Sequence, residues 1–173
     1  MRWFCMGLLI SLASCSTSSK GLPAAGATGV PAEPLLTYCD LVSAPEKYYG
    51  REVRVVGVYR FGFEVEELYS TRCPDAGNTW VEEWSGYWCF DRPGQKDLTL
   101  PWEGTFGLIA RGTLTGGGKG YGHLNGYTFQ FDVSCIEHIE LLDHIFYHQR
   151  ALTPDVHRKV ERFEARRAPG NGT

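Results

Sequence analysis

The sequence lacks the features of three classes of protein. Beyond its N-terminal segment it has no apolar run of about 20 residues, the length that a membrane-spanning helix needs. It has no excess of positive charge, because 17 Lys and Arg against 20 Asp and Glu give a formal net charge of −3, and the composition offers no general reason to expect nucleic-acid binding. It is also too rich in hydrophobic residues, at 43%, for a disordered chain. The length of 173 residues favours one folded domain.

The first 14 residues have the layout of a secretory signal peptide. Arg2 supplies a positive charge, and residues 3–13 form a mostly apolar stretch that is too short to span a bilayer. Residues 12–15 read Leu-Ala-Ser-Cys and resemble the lipobox of bacterial lipoproteins, at which the signal peptide is cut before the cysteine. The resemblance implies an acyl group on Cys15, and Ser16 after it favours the outer membrane. An ordinary signal peptide with a coincidental cysteine is the alternative.

Residues 15–34 are predicted to be a flexible tether that carries the lipid. They are rich in Ser, Gly, Ala, Pro and Thr, so they cannot offset the entropy that is lost when a chain becomes ordered. A tether of this length typically reaches about 25 Å. The lipid bilayer is therefore a predicted partner through acylated Cys15, and the predicted location is the cell envelope, on the outer membrane and facing the periplasm.

Four cysteines remain in the body of the chain: Cys39, Cys73, Cys89 and Cys135. In an exported domain they favour two disulfides, for which three connectivities are possible. Gaps of 34, 16 and 46 positions do not fit the paired spacing of structural zinc sites, and neither a metal nor a cofactor is predicted. A free, buried thiol at Cys135 is the alternative to a second disulfide.

Residues 35–149 are predicted to form a mainly β domain. Strand-like stretches cover 52–63, 64–70, 78–84, 105–115 and 127–136. The last of these alternates most clearly between apolar and polar side chains, which predicts one buried face and one wet face. We expect a small OB-like antiparallel barrel with an N-terminal helix and a C-terminal helix. An open antiparallel sheet or a sandwich is the alternative.

Two irregularities are predicted within these strands. The apolar side chains of 52–63 change parity beside Gly57, which indicates a bulge or a sharp bend. The glycines between 116 and 120 are expected to break the fourth strand. Ahead of the strands, residues 35–44 have the apolar spacing of a short helix, which Pro45 limits.

The tail, residues 150–173, is predicted to contain a basic helix. Thr153 is the expected N-cap and Pro154 the first helical residue, and apolar side chains follow at helical spacing. Six basic residues and three acidic residues give the tail a net charge of +3. This charge predicts either a solvated face with local ion pairs or a contact with anionic lipid headgroups or with an acidic neighbour.

Three segments of the body carry a further pattern. The first reads Tyr-Cys-Asp-Leu at 38–41, Pro-Glu-Lys-Tyr at 45–48 and Gly-Arg-Glu-Val at 50–53. The second reads Gly-Phe-Glu at 62–64, with Leu-Tyr at 68–69, Cys73 and Trp-Val-Glu at 80–82, and the third reads Gly-Tyr-Gly-His-Leu at 120–124. Together they resemble a family of uncharacterised bacterial exported proteins with an OB-like, tRNA-anti-like domain.

The resemblance covers about residues 36–140 and implies a fold more than a function, since fold does not determine function. It also implies a disulfide between Cys39 and Cys73, because members of that family carry cysteines near both positions. Cys89 and Cys135 would then be the remaining pair.

Five side chains are candidates for a ligand site: His123, Tyr121, Tyr127, Trp80 and Glu82. The histidine lies in a glycine-rich turn among aromatic residues, where it would contact a ligand or fix the turn by a hydrogen bond. Aromatic side chains such as Trp80 hold sugars and peptides, although packing is their commoner role.

These observations predict a membrane-anchored envelope lipoprotein whose OB-like domain is a non-catalytic binding module for another envelope protein or a small polar ligand. An envelope hydrolase that uses Glu82 or His123 is the enzymatic alternative. A nucleic-acid-binding OB domain is disfavoured, because residues 35–149 contain nine Lys and Arg against sixteen Asp and Glu, and phosphate contacts need clustered positive charge.

Overall fold

The computed structural model describes residues 33–82, 89, 103–145 and 151–169. The predicted signal peptide, Cys15 and all but the last two residues of the predicted tether lie outside the described residues. The elements are β1 (Leu35–Thr37), α1 (Tyr38–Ser43), a 3-10 turn (Pro45–Lys47), β2 (Glu52–Gly62), β3 (Val65–Tyr69), β4 (Thr79–Glu82), β5 (Gly104–Tyr121), a second 3-10 turn (His123–Asn125), β6 (Tyr127–Asp143) and α2 (Pro154–Arg167).

The six strands form one mixed sheet that closes in a ring. Strands β2, β3 and β4 make an antiparallel meander, and β5 pairs with the other edge of β2. Strand β6 lies between β4 and β5 and is parallel to β4, while β1 pairs in parallel with the first half of β2. The prediction of a mainly β fold with a helix at each end is confirmed. The prediction of an antiparallel barrel is wrong, because the sheet is mixed and two of its strand pairs are parallel.

Strand β2 is buried on both faces. Val53, Val55 and Tyr59 belong to the core inside the ring, while Val56 and Val58 pack under α2. Its pairing with β5 keeps one register along its whole length. The predicted bulge at Gly57 is therefore wrong: the change of parity in the sequence reflects a second buried face.

The irregular strand is β6. It continues to Asp143, seven residues beyond its predicted end. Its register against β5 shifts by one residue at three places, which leaves Ser134, Glu137 and Leu142 without a direct partner. Such extra residues are β-bulges, which bend a strand and increase its twist. Glu137 accepts hydrogen bonds from the Nε atoms of Arg54 (2.6 Å) and Arg111 (2.8 Å), so this bulge supports an ion-paired bridge across β2, β5 and β6.

The glycine segment interrupts pairing but does not end β5. The strand runs to Tyr121, and its ladder with β6 is interrupted between Gly116 and Tyr121. The prediction that residues 116–120 end the strand is therefore wrong, because β5 continues through them. They do interrupt its hydrogen-bonded pairing with β6. The reversal of the chain falls later, in the turn 122–126, which contains the second 3-10 turn.

Both predicted disulfide pairs are present. Cys39 of α1 pairs with Cys73, which follows β3, and Cys89 pairs with Cys135 of β6. The Cα atoms are 5.7 Å and 5.3 Å apart in the two pairs, within the usual range for disulfides. Cys135 is therefore not a free thiol. Helix α1 is shorter than predicted, because residues 35–37 form β1 and Thr37 caps the helix through a capping box with Asp40.

Helix α2 covers the outer face of the ring. Its side chains Val156, Val160 and Phe163 are buried against outward-facing residues of β2, β3, β5 and β6, and each such burial contributes about 1.5–3 kcal/mol. The predicted N-cap is confirmed, because the Thr153 side chain accepts a hydrogen bond from the Val156 backbone N–H. Among the described residues, neither helix has the length and apolar character needed to cross a membrane.

Candidate functional site

Trp80 is the centre of the candidate site. It lies on β4, and its indole Nε1 donates a hydrogen bond to Glu82 Oε2 at 2.7 Å. The ring of Tyr127, at the start of β6, stands edge-on to the indole with 5.2 Å between centroids, an arrangement that aromatic pairs favour. Tyr121 pairs in register with Tyr127 across the β5–β6 hairpin. The structure thus brings Trp80, Glu82 and Tyr127 into contact and places Tyr121 beside them.

The turn 122–126 is held against this cluster by a glycine. Gly122 has a φ of 63°, a left-handed conformation that glycine adopts without strain. A Cβ atom at this position would overlap the indole of Trp80. The absence of a side chain therefore lets the backbone of the turn lie directly on the ring, which is the structural role of the glycine before His123.

His123 contacts a second turn rather than the aromatic cluster. Its Nε2 lies 3.5 Å from Glu64 Oε2, in the two-residue turn that joins β2 to β3. The pair is an ion contact when the imidazole is protonated. The contact links the β2–β3 turn to the β5–β6 turn at one rim of the ring, a relation that sequence reasoning missed because nothing in the order of residues identifies Glu64 as the partner.

A buried ion pair lies next to Trp80. Arg60 Nη2 is 2.7 Å from Glu67 Oε2, with side-chain exposures of 10% and 1%, and Glu67 is the register partner of Trp80 on β3. Burial raises the pKa of the Glu67 carboxyl, and the guanidinium of Arg60 opposes that rise. Burial also raises the pKa of the Tyr127 hydroxyl, with a further rise from Glu67. A charged residue inside a Val-rich strand was the available sequence signal for this pair.

The surface around the cluster is acidic. Residues 61–69, 79–82 and 121–132 contain no Lys or Arg and four acidic residues besides Glu67: Glu64, Glu66, Glu82 and Asp132. Asp132 accepts a hydrogen bond from Gln130 Nε2 at 2.8 Å, and Gln130 is the register partner of Trp80 on β6. Carboxylates beside an aromatic ring suit a cationic or hydroxyl-rich ligand. The carboxylates and the face of the ring attract positive charge, and the carboxylates also accept hydrogen bonds from hydroxyl groups.

The two residues of the hydrolase alternative have separate partners. Glu82 accepts its hydrogen bond from Trp80, while His123 faces Glu64. A general acid or base has to lie within hydrogen-bond reach of the proton that it transfers, and these contacts direct the two groups to different neighbours. Within the described ranges, no group of three or more His, Cys, Asp or Glu side chains is placed to hold a metal ion.

Comparison with known proteins does not identify this chain. No family model, no curated protein and no solved structure matches the sequence. The resemblance to the exported OB-like family therefore stays a prediction, and the function has to be argued from the geometry of the site.

Proposed function

We propose that this protein is a lipid-anchored binding module of the bacterial cell envelope, and that its OB-like ring presents the face around Trp80 to a polar ligand or a partner protein. The strand order supports the fold assignment. Strand β5 returns to lie beside β2 after the β2–β3–β4 meander, which is the Greek-key order, and β6 makes the fifth strand of the ring. An OB fold is a five-stranded, partly open Greek-key arrangement.

The position of the site supports the binding role. OB folds bind ligands on the face of their second and third strands, between the loop after the first strand and the loop before the fifth. In this ring those elements are β3, β4, the turn that contains Glu64 and the turn 122–126. The observation that carries the proposal is that Trp80, Glu82 and Tyr127 meet at this place and that the two turns meet beside them.

A titration that is monitored by NMR spectroscopy tests this site. The Cys15→Ser chain, which cannot carry the acyl group, is titrated with a lysine-rich peptide, a chitooligosaccharide and a glutamate-rich peptide. We expect one of the first two probes to shift the signals of the Trp80 indole N–H and of residues 122–127, and the glutamate-rich peptide to leave them unchanged. Glu82→Gln removes one carboxylate charge and should weaken binding of the lysine-rich peptide several-fold.

Glu161→Gln is the matched control, because Glu161 is exposed on α2, away from β4. This variant should bind as the parent chain does. Equal binding by the two variants, or shifts confined to α2, would place the ligand elsewhere and contradict the proposed site. Unchanged signals with all three probes would contradict the ligand chemistry.

A further inference from the structure

Two large apolar side chains stand exposed at the rim where the turns meet. Phe63 is 72% exposed in the β2–β3 turn, and Leu124 is 86% exposed in the β5–β6 turn. The residues beside them, Glu64 and His123, are the pair whose side chains approach to 3.5 Å. We call residues 63, 64, 123 and 124 the apolar tip. Exposed apolar side chains that gather in one place, rather than singly, are typical of interaction surfaces.

The backbone of the tip is strained as well as exposed. Glu64 has a φ of 57° and Leu124 a φ of 55°, in the left-handed region that is unfavourable for residues with a side chain. Glycine or asparagine would relieve the backbone strain at either position. A polar residue at position 124 would also avoid exposing an apolar side chain to water. Strain of this kind clusters at functional sites, so a binding role gives a physical reason for both costs.

A groove of complementary character lies between α2 and the end of β6. It has a volume of about 330 Å³, and its lining combines two apolar, three basic and one acidic side chain: Leu141, Leu142, Lys159, Arg162, Arg166 and Glu140. We call it the basic groove. The tip has the opposite sign, because Glu64 belongs to it and residues 61–69, which include the β2–β3 turn, contain three Glu and no Lys or Arg.

One cation of the groove is available to a partner. Arg166 pairs with Glu140 at 3.0 Å, and Lys159 pairs with Asp155 at 3.2 Å. Arg162 instead donates from Nε to the backbone carbonyl of Arg158 at 3.2 Å, and among the described residues its guanidinium forms no ion pair. Its free charge matches the exposed carboxylate of the tip.

We propose that the partner of the apolar tip is a second copy of this chain, whose basic groove receives Phe63 and Leu124 and sets Arg162 beside Glu64. A molecule cannot fill its own groove, because the tip and the groove lie at opposite ends of β6, a strand of 17 residues. The contact is heterologous, since different surfaces of the two copies meet, and it adds molecules head to tail. The proposal does not rest on the ligand site at Trp80.

Sedimentation velocity on the Cys15→Ser chain, at concentrations up to about 1 mM, tests the contact. We expect reversible association that rises with concentration, that disappears in Phe63→Ser/Leu124→Asn and that also disappears in Arg162→Glu. Phe63→Leu keeps an apolar side chain at the tip and should retain association. Glu161→Gln, beside Arg162 on the exposed part of α2, is the control for the groove and should also retain it.

Mixing the two defective variants gives the sharpest result. Phe63→Ser/Leu124→Asn retains an intact groove and Arg162→Glu retains an intact tip, so the mixture should form a one-to-one heterodimer and nothing larger. A wild-type chain that stays monomeric over the whole range, or a mixture without heterodimer, would overturn the proposal. Binding of a monomeric wild-type chain, but not of the tip variant, to phosphatidylethanolamine vesicles would assign the tip to the bilayer instead.

Discussion

The contact between Gly122 and Trp80 determines where the β5–β6 turn lies relative to β4. The glycine backbone lies on the indole in a left-handed conformation, while the indole N–H is held by Glu82. These restraints position His123, which follows Gly122 directly, against the neighbouring turn. A single residue without a side chain thus connects an aromatic cluster on the sheet to the rim of the ring.

Gly122→Ala should displace the turn from the ring. The added Cβ atom meets the indole, and a non-glycine residue at a φ of 63° is strained. We expect a loss of about 1–3 kcal/mol in the free energy of unfolding, measured by urea denaturation, together with an altered Trp80–Tyr127 contact in NMR spectra. Gly117→Ala is the matched control: Gly117 has a φ of 75° but open space around its Cα, so it carries the strain alone. Equal losses in the two variants would show that the indole contact contributes nothing.

The residues of the candidate site were only partly predictable from the sequence. Aromatic residues, a histidine and acidic residues near a glycine-rich turn identified Trp80, Glu82 and Tyr127 as candidates, and they do lie together. The ion pair of Arg60 with Glu67 and the contact of His123 with Glu64 were not predictable. Each joins two strands or two turns, so its partners are known only once the register of the sheet is known.

At the scale of elements, helix α2 explains why β2 differs from its prediction. An alternation of apolar and polar residues predicts one buried and one solvent-exposed face of a strand only if no other element covers the second face. Helix α2 lies about a hundred positions after β2 in the sequence and covers Val56 and Val58. Because β2 has apolar side chains on both faces, its sequence pattern looked like that of a strand with a bulge. The bulges of β6 were equally hidden, because an extra residue is defined by the partner strand. The N-cap and spacing of α2 are local features and were predicted correctly.

A buried carboxyl of α2 makes the stability of the fold depend on pH. Glu164 accepts a hydrogen bond from the Ser70 hydroxyl at 2.5 Å, and burial raises the pKa of its carboxyl while Ser70 opposes the rise. The folded state therefore holds a proton more tightly than the unfolded state does. Between the unfolded pKa and the raised folded pKa this group makes the free energy of unfolding fall as pH rises.

Glu164→Gln should remove this slope. The amide oxygen can still accept the hydrogen bond from Ser70, and no charge remains to be buried. We expect the variant to be more stable than the parent chain at pH 7 and the difference to shrink as the pH is lowered toward 4, measured by urea denaturation across that range. Glu103→Gln, which changes an exposed carboxylate directly before β5, should show no such trend. A Glu164→Gln variant that is less stable at pH 7 would show that the ionised carboxylate stabilises the helix contact.

At the scale of the whole molecule, charge is divided between two regions. The strands and turns around Trp80 are acidic, whereas α2 presents Arg158, Lys159, Arg162 and Arg166 at the surface. Composition reveals this division, but the ring topology is required to place the acidic segments on one face. The parallel pairing of β4 with β6 joins strands that are distant in the sequence, and no local pattern predicts it.

The predicted lipid anchor is tested by metabolic labelling with radioactive palmitate in a bacterial host. We expect the full chain to incorporate the label and to sediment with membranes, because several acyl chains hold a protein firmly to a bilayer. Cys15→Ala should lose the label, and Cys5→Ala should retain it if the signal is cut before Cys15. Label that persists in Cys15→Ala would contradict acylation at this residue.

The central claim is that the face around Trp80 binds a partner or ligand in the cell envelope. A photo-crosslinking amino acid at Gln130, the register neighbour of Trp80 on β6, tests it most directly in intact cells, with the same amino acid at Glu161 of α2 as the reference position. The account predicts a discrete crosslinked product or ligand adduct from position 130 that is lost when Trp80→Ala is added. Adducts from position 161 alone, or a product at position 130 that survives Trp80→Ala, would contradict it.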